Sequence, residues 1–243
     1  MNLEEVKNEF PESASEIKIL ESLGFAFRSD GWIDSLESTQ AQTACWLVGK
    51  VGDDQDADAL VSILSNPRPE LWRQAATPLS LIARERHLSA LLSTLATSFD
   101  PIQRETIVYA LSFLTTCPVT LEVSSVLTAA AANNAETPSV RAQALEGLGN
   151  KLSQEVTLNL YQEAVTVIIE ALDGAEAEIR FWACFAVSAL KIKEALPRLE
   201  ILARKDREIV PGWWSVSEEA EDAITLMNGG EPPLRKPCNS PPT

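Results

Sequence analysis

A chain of 243 residues with 45% hydrophobic side chains is long enough for one domain with a substantial core, or for one elongated array. Its formal charge of −15, from 20 Lys and Arg against 35 Asp and Glu, sets it against a phosphate backbone, which is bound by neutralising it with basic side chains. Nucleic acid and anionic membrane surfaces are therefore disfavoured as partners.

The first segment, "MNLEEVKNEF", is acidic and lacks the basic start and apolar stretch of a secretory signal. No apolar run approaches the ~20 residues needed to cross a bilayer, so a cytoplasmic protein is expected. Asn2 with Glu5, and Ser13 with Glu16, resemble capping boxes, and Gly24 suits a helix end. Residues 1–34 thus read as one or two helices that shield the next element from water.

From residue 35 the chain repeats itself. The stretches "ELWRQAATPLSLI" (70–82), "PIQRETIVYALSFL" (101–114), "SVRAQALEGLG" (139–149), "EIRFWACFAVSAL" (178–190) and "SVSEEAEDAI" (215–224) align on Trp72, Gln103, Arg141, Arg180 and Ser217. Three residues on come Ala75, Thr106, Ala144, Ala183 and Ala220; seven on come Leu79, Ala110, Leu148, Val187 and Ile224. An earlier stretch fits with Ala41, Ala44 and Val48. The anchors lie 31, 31, 38, 39 and 37 residues apart, a period that marks a solenoid. The spacing i, i+3, i+7 places these residues on one helical face, where alanine admits a close neighbour. An arginine stands at the anchor (Arg141, Arg180) or one residue later (Arg73, Arg104). At a repeated position its expected work is structural, with the stem packed and the head bonded to a neighbouring repeat.

A second helix follows the better copies: "DADALVSILSN", "HLSALLSTLATS", "LYQEAVTVIIEALDG" and "EALPRLEILARK". These are amphipathic, whereas "EIRFWACFAVSAL" is apolar nearly all round and reads as a helix covered on every side. It is too short to span a membrane and too rich in Ala for a strand. The third copy is irregular: "TTCPVT" (115–120) breaks its helices and "NNAETP" (133–138) makes a long joint. An insertion, "REIVPGWWS" (207–215), interrupts the last copy, and residues 228–243, rich in Pro and Gly, read as a flexible tail.

At this point "VGDDQDADALVSILSNPRPELWRQAATPL" and "LKIKEALPRLEIL" resemble bacterial HEAT repeats of the phycobilisome-lyase type. Gly52, Asp53, Ala59 and Leu60 are similar to that family's turn and second helix. Ala195, Leu196, Pro197 and Leu199 match an Ala-apolar-Pro-x-Leu form of it, and Val140-Arg141 with Ala144, and Ile179-Arg180 with Ala183, match the opening of the next repeat. The expected fold is all-α: an α-solenoid of about six HEAT-like helical hairpins over 35–227 with an N-terminal helical cap. The resemblance covers packing positions. It implies a phycobilin (tetrapyrrole) lyase subunit or chaperone-like component as one possible activity, without singling out bilin-lyase residues.

The chemistry-bearing motifs are few. No Ser-His-Asp set, HExxH, P-loop or dinucleotide glycine motif occurs, so no catalytic residue, metal site or cofactor is expected. Cys45, Cys117, Cys184 and Cys238 form no C-x-x-C pair; Cys45 and Cys184 read as small buried hydrophobes. The acidic runs 53–58 and 217–222 read as solvated helix starts, and Trp46, Trp72 and Trp182 as core. The expected function is a non-catalytic scaffold for a protein partner with a basic surface. Its candidate contacts are the outward positions of the second helices, Asp58, Ser62, Ser89, Ser93, Gln162, Thr166 and Arg198. Trp213 and Trp214 in the last insertion are either a cap on the core or a partner anchor.

Overall fold

The computed structural model describes residues 3–22, 33, 36–65, 68–114, 121–152 and 158–238. Among them the chain forms thirteen α-helices, and the only β feature is an isolated bridge between Ile209 and Ser215. The Asn2–Glu5 box, the side chain of Glu16, Gly24, Cys117 and the break at 115–120 lie outside the described residues.

The chain divides into two compact units, Met1–Pro118 and Val119–Thr243. The division falls within the third repeat copy, where the sequence pattern was least regular. The first unit holds α1 (Leu3–Glu9), α2 (Ala14–Ser22), α3 (Ser38–Val51), α4 (Ala57–Ser65), α5 (Pro69–Ile82), α6 (Glu85–Thr97) and α7 (Pro101–Phe113). Here the first helices of successive copies, α3, α5 and α7, pack side by side, with α4 and α6 against them. The second unit holds α8 (Leu121–Ala132), α9 (Pro138–Leu152), α10 (Leu158–Ala171), α11 (Ala177–Leu190), α12 (Leu196–Lys205) and α13 (Val216–Met227). In it α11 lies between α9 and α13, with α10 and α12 on the second-helix side.

The aligned small residues do what their spacing requires. Ala44, Ala75, Ala144, Ala183 and Ala220 are all buried, and glycine takes the closest approaches. A Cβ at Gly149 would lie 2.9 Å from the Phe185 ring and 3.1 Å from the Ala186 backbone, and one at Gly49 would lie 3.2 Å from Pro78. The helix 178–190 is covered as expected, with Ile179, Phe181, Ala183, Cys184, Ala186 and Val187 all buried. Cys45 and Cys184 are buried free thiols, and burial pushes the Cys184 thiol well up from its ordinary value.

The repeated polar position has one recurrent task. Each helix ends with carbonyls that have no partner inside it. Arg104 Nη1 donates to the carbonyls of Leu95, in the last turn of α6, and Ser98 just beyond it. Arg141 Nε donates to the Ala131 carbonyl of α8 at 3.1 Å. Arg180 Nη1 donates to the carbonyls of Gly174 at 2.8 Å and Ala175 at 2.7 Å, just past α10. At α5 the indole of Trp72 does the same work: Nε1 donates to the Ile63 carbonyl of α4 at 3.2 Å. The repeat thus clasps each second helix to the first helix of the following copy.

Residues 228–238 contain no helix; the N–H groups of Asn228, Gly229 and Gly230 cap the end of α13, and beyond that cap the segment is tied to the body at two points. Arg235 makes ion pairs to Glu218, Glu221 and Asp222, and the Cys238 N–H donates to the Trp213 carbonyl.

Candidate partner-binding surfaces

The second-helix positions singled out in the sequence fall into separate settings. In the first unit Asp58 is exposed on α4 but already engaged. Arg86 Nη1 donates to its two oxygens at 2.9 and 3.0 Å, and His87 Nε2 lies 3.1 Å from Oδ1. Arg86 also donates to the Asp54 carbonyl at 2.5 Å; the Asp58 carboxylate, first among its neighbours, raises the guanidinium's affinity for its proton. His87 is buried, and its Nδ1 accepts the Arg84 N–H at 2.8 Å, so the single histidine caps its own helix. Ser62 is half-buried on α4, while Ser89 and Ser93 stand exposed one turn apart on α6.

In the second unit Gln162 and Thr166 do come together, exposed at i and i+4 on α10, with Glu170 one turn further. The Thr166 hydroxyl donates back to the Gln162 carbonyl at 3.0 Å. With Tyr161, Val165 and residues 191–194 they line an open cavity of about 490 Å³. Lys191 enters it from the C-cap of α11, in the left-handed region at φ 54°. Lys191 and Lys193 escaped the sequence reading because they lie between α11 and α12, outside the second helices, while Tyr161 stands on α10 directly before Gln162, where its hydroxyl donates to the Leu190 carbonyl at 3.2 Å. Arg198 does not point its fork outward: Nη1 donates to the Ile169 carbonyl at 2.7 Å and Nη2 lies 3.4 Å from Asp173. It ties α12 to α10.

Trp213 and Trp214 close an aromatic cluster on α11. The Trp213 ring sits 5.1 Å from Trp182 at 81°, 5.5 Å from Trp214 and 5.9 Å from Phe181. Edge-to-face contacts of this kind add to the stabilisation that burial alone provides. Gly212 supplies the positive φ, 82°, that the turn demands. Trp214 is half-buried and donates from Nε1 to Glu219 Oε2 at 2.9 Å. Burial raises the Glu219 carboxyl to about 7, against the lowering effect of that hydrogen bond. Trp213 keeps 38% of its surface exposed. Trp72 and Trp182 are buried as expected, whereas Trp46 is only half-buried, edge-on to Phe10 with ring centroids 5.3 Å apart.

The electrostatics are lopsided. Every described arginine makes a hydrogen bond or ion pair within the protein. Glu85 on α6, Glu122 on α8, and Glu163 and Glu170 on α10 are exposed with no ion pair to a described residue. Among the described residues no group of three or more His, Cys, Asp or Glu is placed to hold a metal ion. No described helix is long and apolar enough to cross a membrane.

No known family profile matches the chain, and no curated protein matches it either. Solved structures do. The complex of CpcE and CpcF of phycocyanin lyase from Nostoc sp. PCC7120 is similar at 21% identity and a TM-score of 0.56, over 69% of this chain and 97% of that one. A designed armadillo repeat protein in complex with the peptide (KR)4 is similar at 17% identity and a TM-score of 0.50, over 81% of this chain and 96% of that one. The fold is that of the HEAT- and armadillo-type helical repeats, with the lyase subunits among its relatives in shape.

Proposed function

We propose that this chain is a non-catalytic protein-binding scaffold, and that its partner presents a basic face to the outward side of the second helices. The observation that carries the reading is the asymmetry of the charges. The net charge is −15, the described arginines are engaged within the protein, and, although Lys191 and Lys193 stand exposed beside α10, the carboxylates of Glu85, Glu122, Glu163 and Glu170 face water without an ion pair to a described residue. A surface so arranged attracts a cationic partner over a long range and raises its association rate. The α10 stripe of Gln162, Thr166 and Glu170 is polar and small, which suits contact at low desolvation cost rather than the gripping of an apolar ligand. A designed armadillo repeat protein was solved in complex with the peptide (KR)4, which supports a basic segment as the partner of such a fold.

The test begins with cross-linking and mass spectrometry to identify the partner. Its affinity is then measured for a Thr166→Lys/Glu163→Lys/Glu170→Lys variant at two ionic strengths. The variant is expected to bind about tenfold or more weakly at low salt, with the gap closing as screening sets in over ~8–10 Å. Unchanged affinity would remove the α10 face from the reading. If a folded Trp213→Ala/Trp214→Ala variant then loses binding, the tryptophan loop is the contact.

The likeness to the phycocyanin lyase complex favours a second reading, a phycobilin lyase subunit or chaperone-like component. Mixing the purified chain with a bilin and recording its visible spectrum separates the two. A shifted, intensified band would support the second reading; a spectrum equal to that of free bilin would leave the scaffold.

A further inference from the structure

Residues 229–238 lie against α13, and one side chain accounts for most of how they are held. Arg235 Nε donates to the two oxygens of Asp222 at 3.3 and 3.0 Å, and Nη2 donates to Oδ1 at 2.8 Å. Nη1 meets Glu218 Oε1 at 3.3 Å, while Nη2 also reaches the Glu218 carbonyl and Glu221 Oε2, each at 3.3 Å. Residues 218, 221 and 222 share a helical face at i, i+3 and i+4. Their carboxylates surround a planar fork that lysine, a point charge, would not fill in the same way. Asp222 is buried and the Arg235 side chain only 17% exposed. The second attachment is the Cys238 N–H to the Trp213 carbonyl at 2.7 Å.

Little apolar surface helps. Leu234, beside the arginine, is fully exposed, and Pro233, Lys236 and Pro237 are exposed too. A segment docked for stability would bury that leucine, a change worth ~1.5–3 kcal/mol. Beyond the Gly229 and Gly230 N–H groups that cap α13, this one is held by one further backbone hydrogen bond and by charge, which salt weakens and a competing guanidinium can replace.

We infer that residues 229–238 form an electrostatic latch. Arg235 is an in-chain ligand of an arginine site made by Glu218, Glu221 and Asp222, and an arginine in an extended segment of a protein partner exchanges with it there. That the competitor comes from a protein rests on the function proposed above; the arginine preference of the site stands by itself. The latch keeps α13 occupied until a partner brings a competing arginine segment at a concentration that rivals the in-chain one.

The experiment uses the full chain and a synthetic peptide, acetyl-Pro-Leu-Arg-Lys-Pro-amide, as probe in calorimetry. The peptide is expected to bind Arg235→Ala about tenfold or more tightly than wild type, because its in-chain competitor is gone. Replacing the peptide's arginine by lysine, or adding Asp222→Asn to the variant, should return binding to the weak level. Equal binding to wild type and Arg235→Ala overturns the latch. So does loss of the helical circular dichroism signal in Arg235→Ala, which would make the segment a structural brace. If the peptide fails while the α10 lysine variant weakens the partner, the latch falls and the scaffold reading stands. If the peptide behaves as expected and the α10 variant binds normally, the latch stands and the α10 surface falls.

Discussion

The openings of α5 and α11 are the same repeat position solved in two ways. At α11 one arginine does everything. Arg180 holds two carbonyls past α10, pairs with Asp206 at 2.6 Å and with Glu208 at 3.0 Å, and is itself buried. Its Asp206 partner, foremost, raises its hold on the proton. At α5 the work is divided. Trp72 takes the carbonyl of Ile63, and Arg73, 65% exposed, is left with a single pair to Glu105 at 3.3 Å. A repeat position conserves a task, the satisfaction of a helix end, more than it conserves the residue. A concentrated solution is strong and brittle, because removing one side chain orphans several groups at once.

The sharpest way to break the comparison is Arg180→Ala. It leaves the half-buried Asp206 without its cation and two carbonyls without a donor, a loss expected at about 3 kcal/mol. Chemical denaturation measures it, and Arg180→Lys, which keeps the charge but not the fork, should fall between. Trp72→Phe keeps an aromatic ring but removes the Nε1–H to Ile63 together with the pyrrole half of the buried indole, and about 1–3 kcal/mol is expected for the orphaned carbonyl with a further cavity cost. A loss as large as that of Arg180→Ala would show that α5 is as concentrated as α11.

A third test asks what a shielded charge does without a cation. Glu146 on α9 has Gln143 Nε2 at 2.8 Å, and burial raises its carboxyl to about 7 from 4.5. The folded state therefore keeps a proton that the unfolded state gives up. Its contribution is fully present below about pH 4.5 and is lost as pH rises through about 7. Glu146→Gln should gain stability over wild type progressively across that window and hold the gain above it. Because Glu219 titrates in the same range in both proteins, the difference between variant and wild-type melting curves isolates Glu146. The smallest effect is expected from Arg73→Ala: below ~1 kcal/mol, and smaller still in high salt, as for other exposed pairs.

Much of the fold was legible in the chain. The spacing of Ala75, Ala144, Ala183 and Ala220 already implied helices in close approach, and the arginines at the anchor already implied a packing role. Periodic small and apolar residues carry this information because helical geometry is local, and a face is defined by its own sequence. The candidate surface was harder to read. Asp58 and Arg198 are outward by period, yet Arg86 holds the first and the Ile169 carbonyl the second. Arg235 stands among prolines and glycines with no periodic signal at all, and still finds three carboxylates on α13.

By itself, then, the sequence determined the helices, their buried stripes and the clasping arginines at 104, 141 and 180, all signalled by periodic spacing, but not the clasp at α5, where Trp72 takes that work. Tertiary structure alone decided which charges remain free. An ion pair joins residues far apart in sequence, so whether a carboxylate faces water or a guanidinium depends on what folding brings within about 4 Å of it.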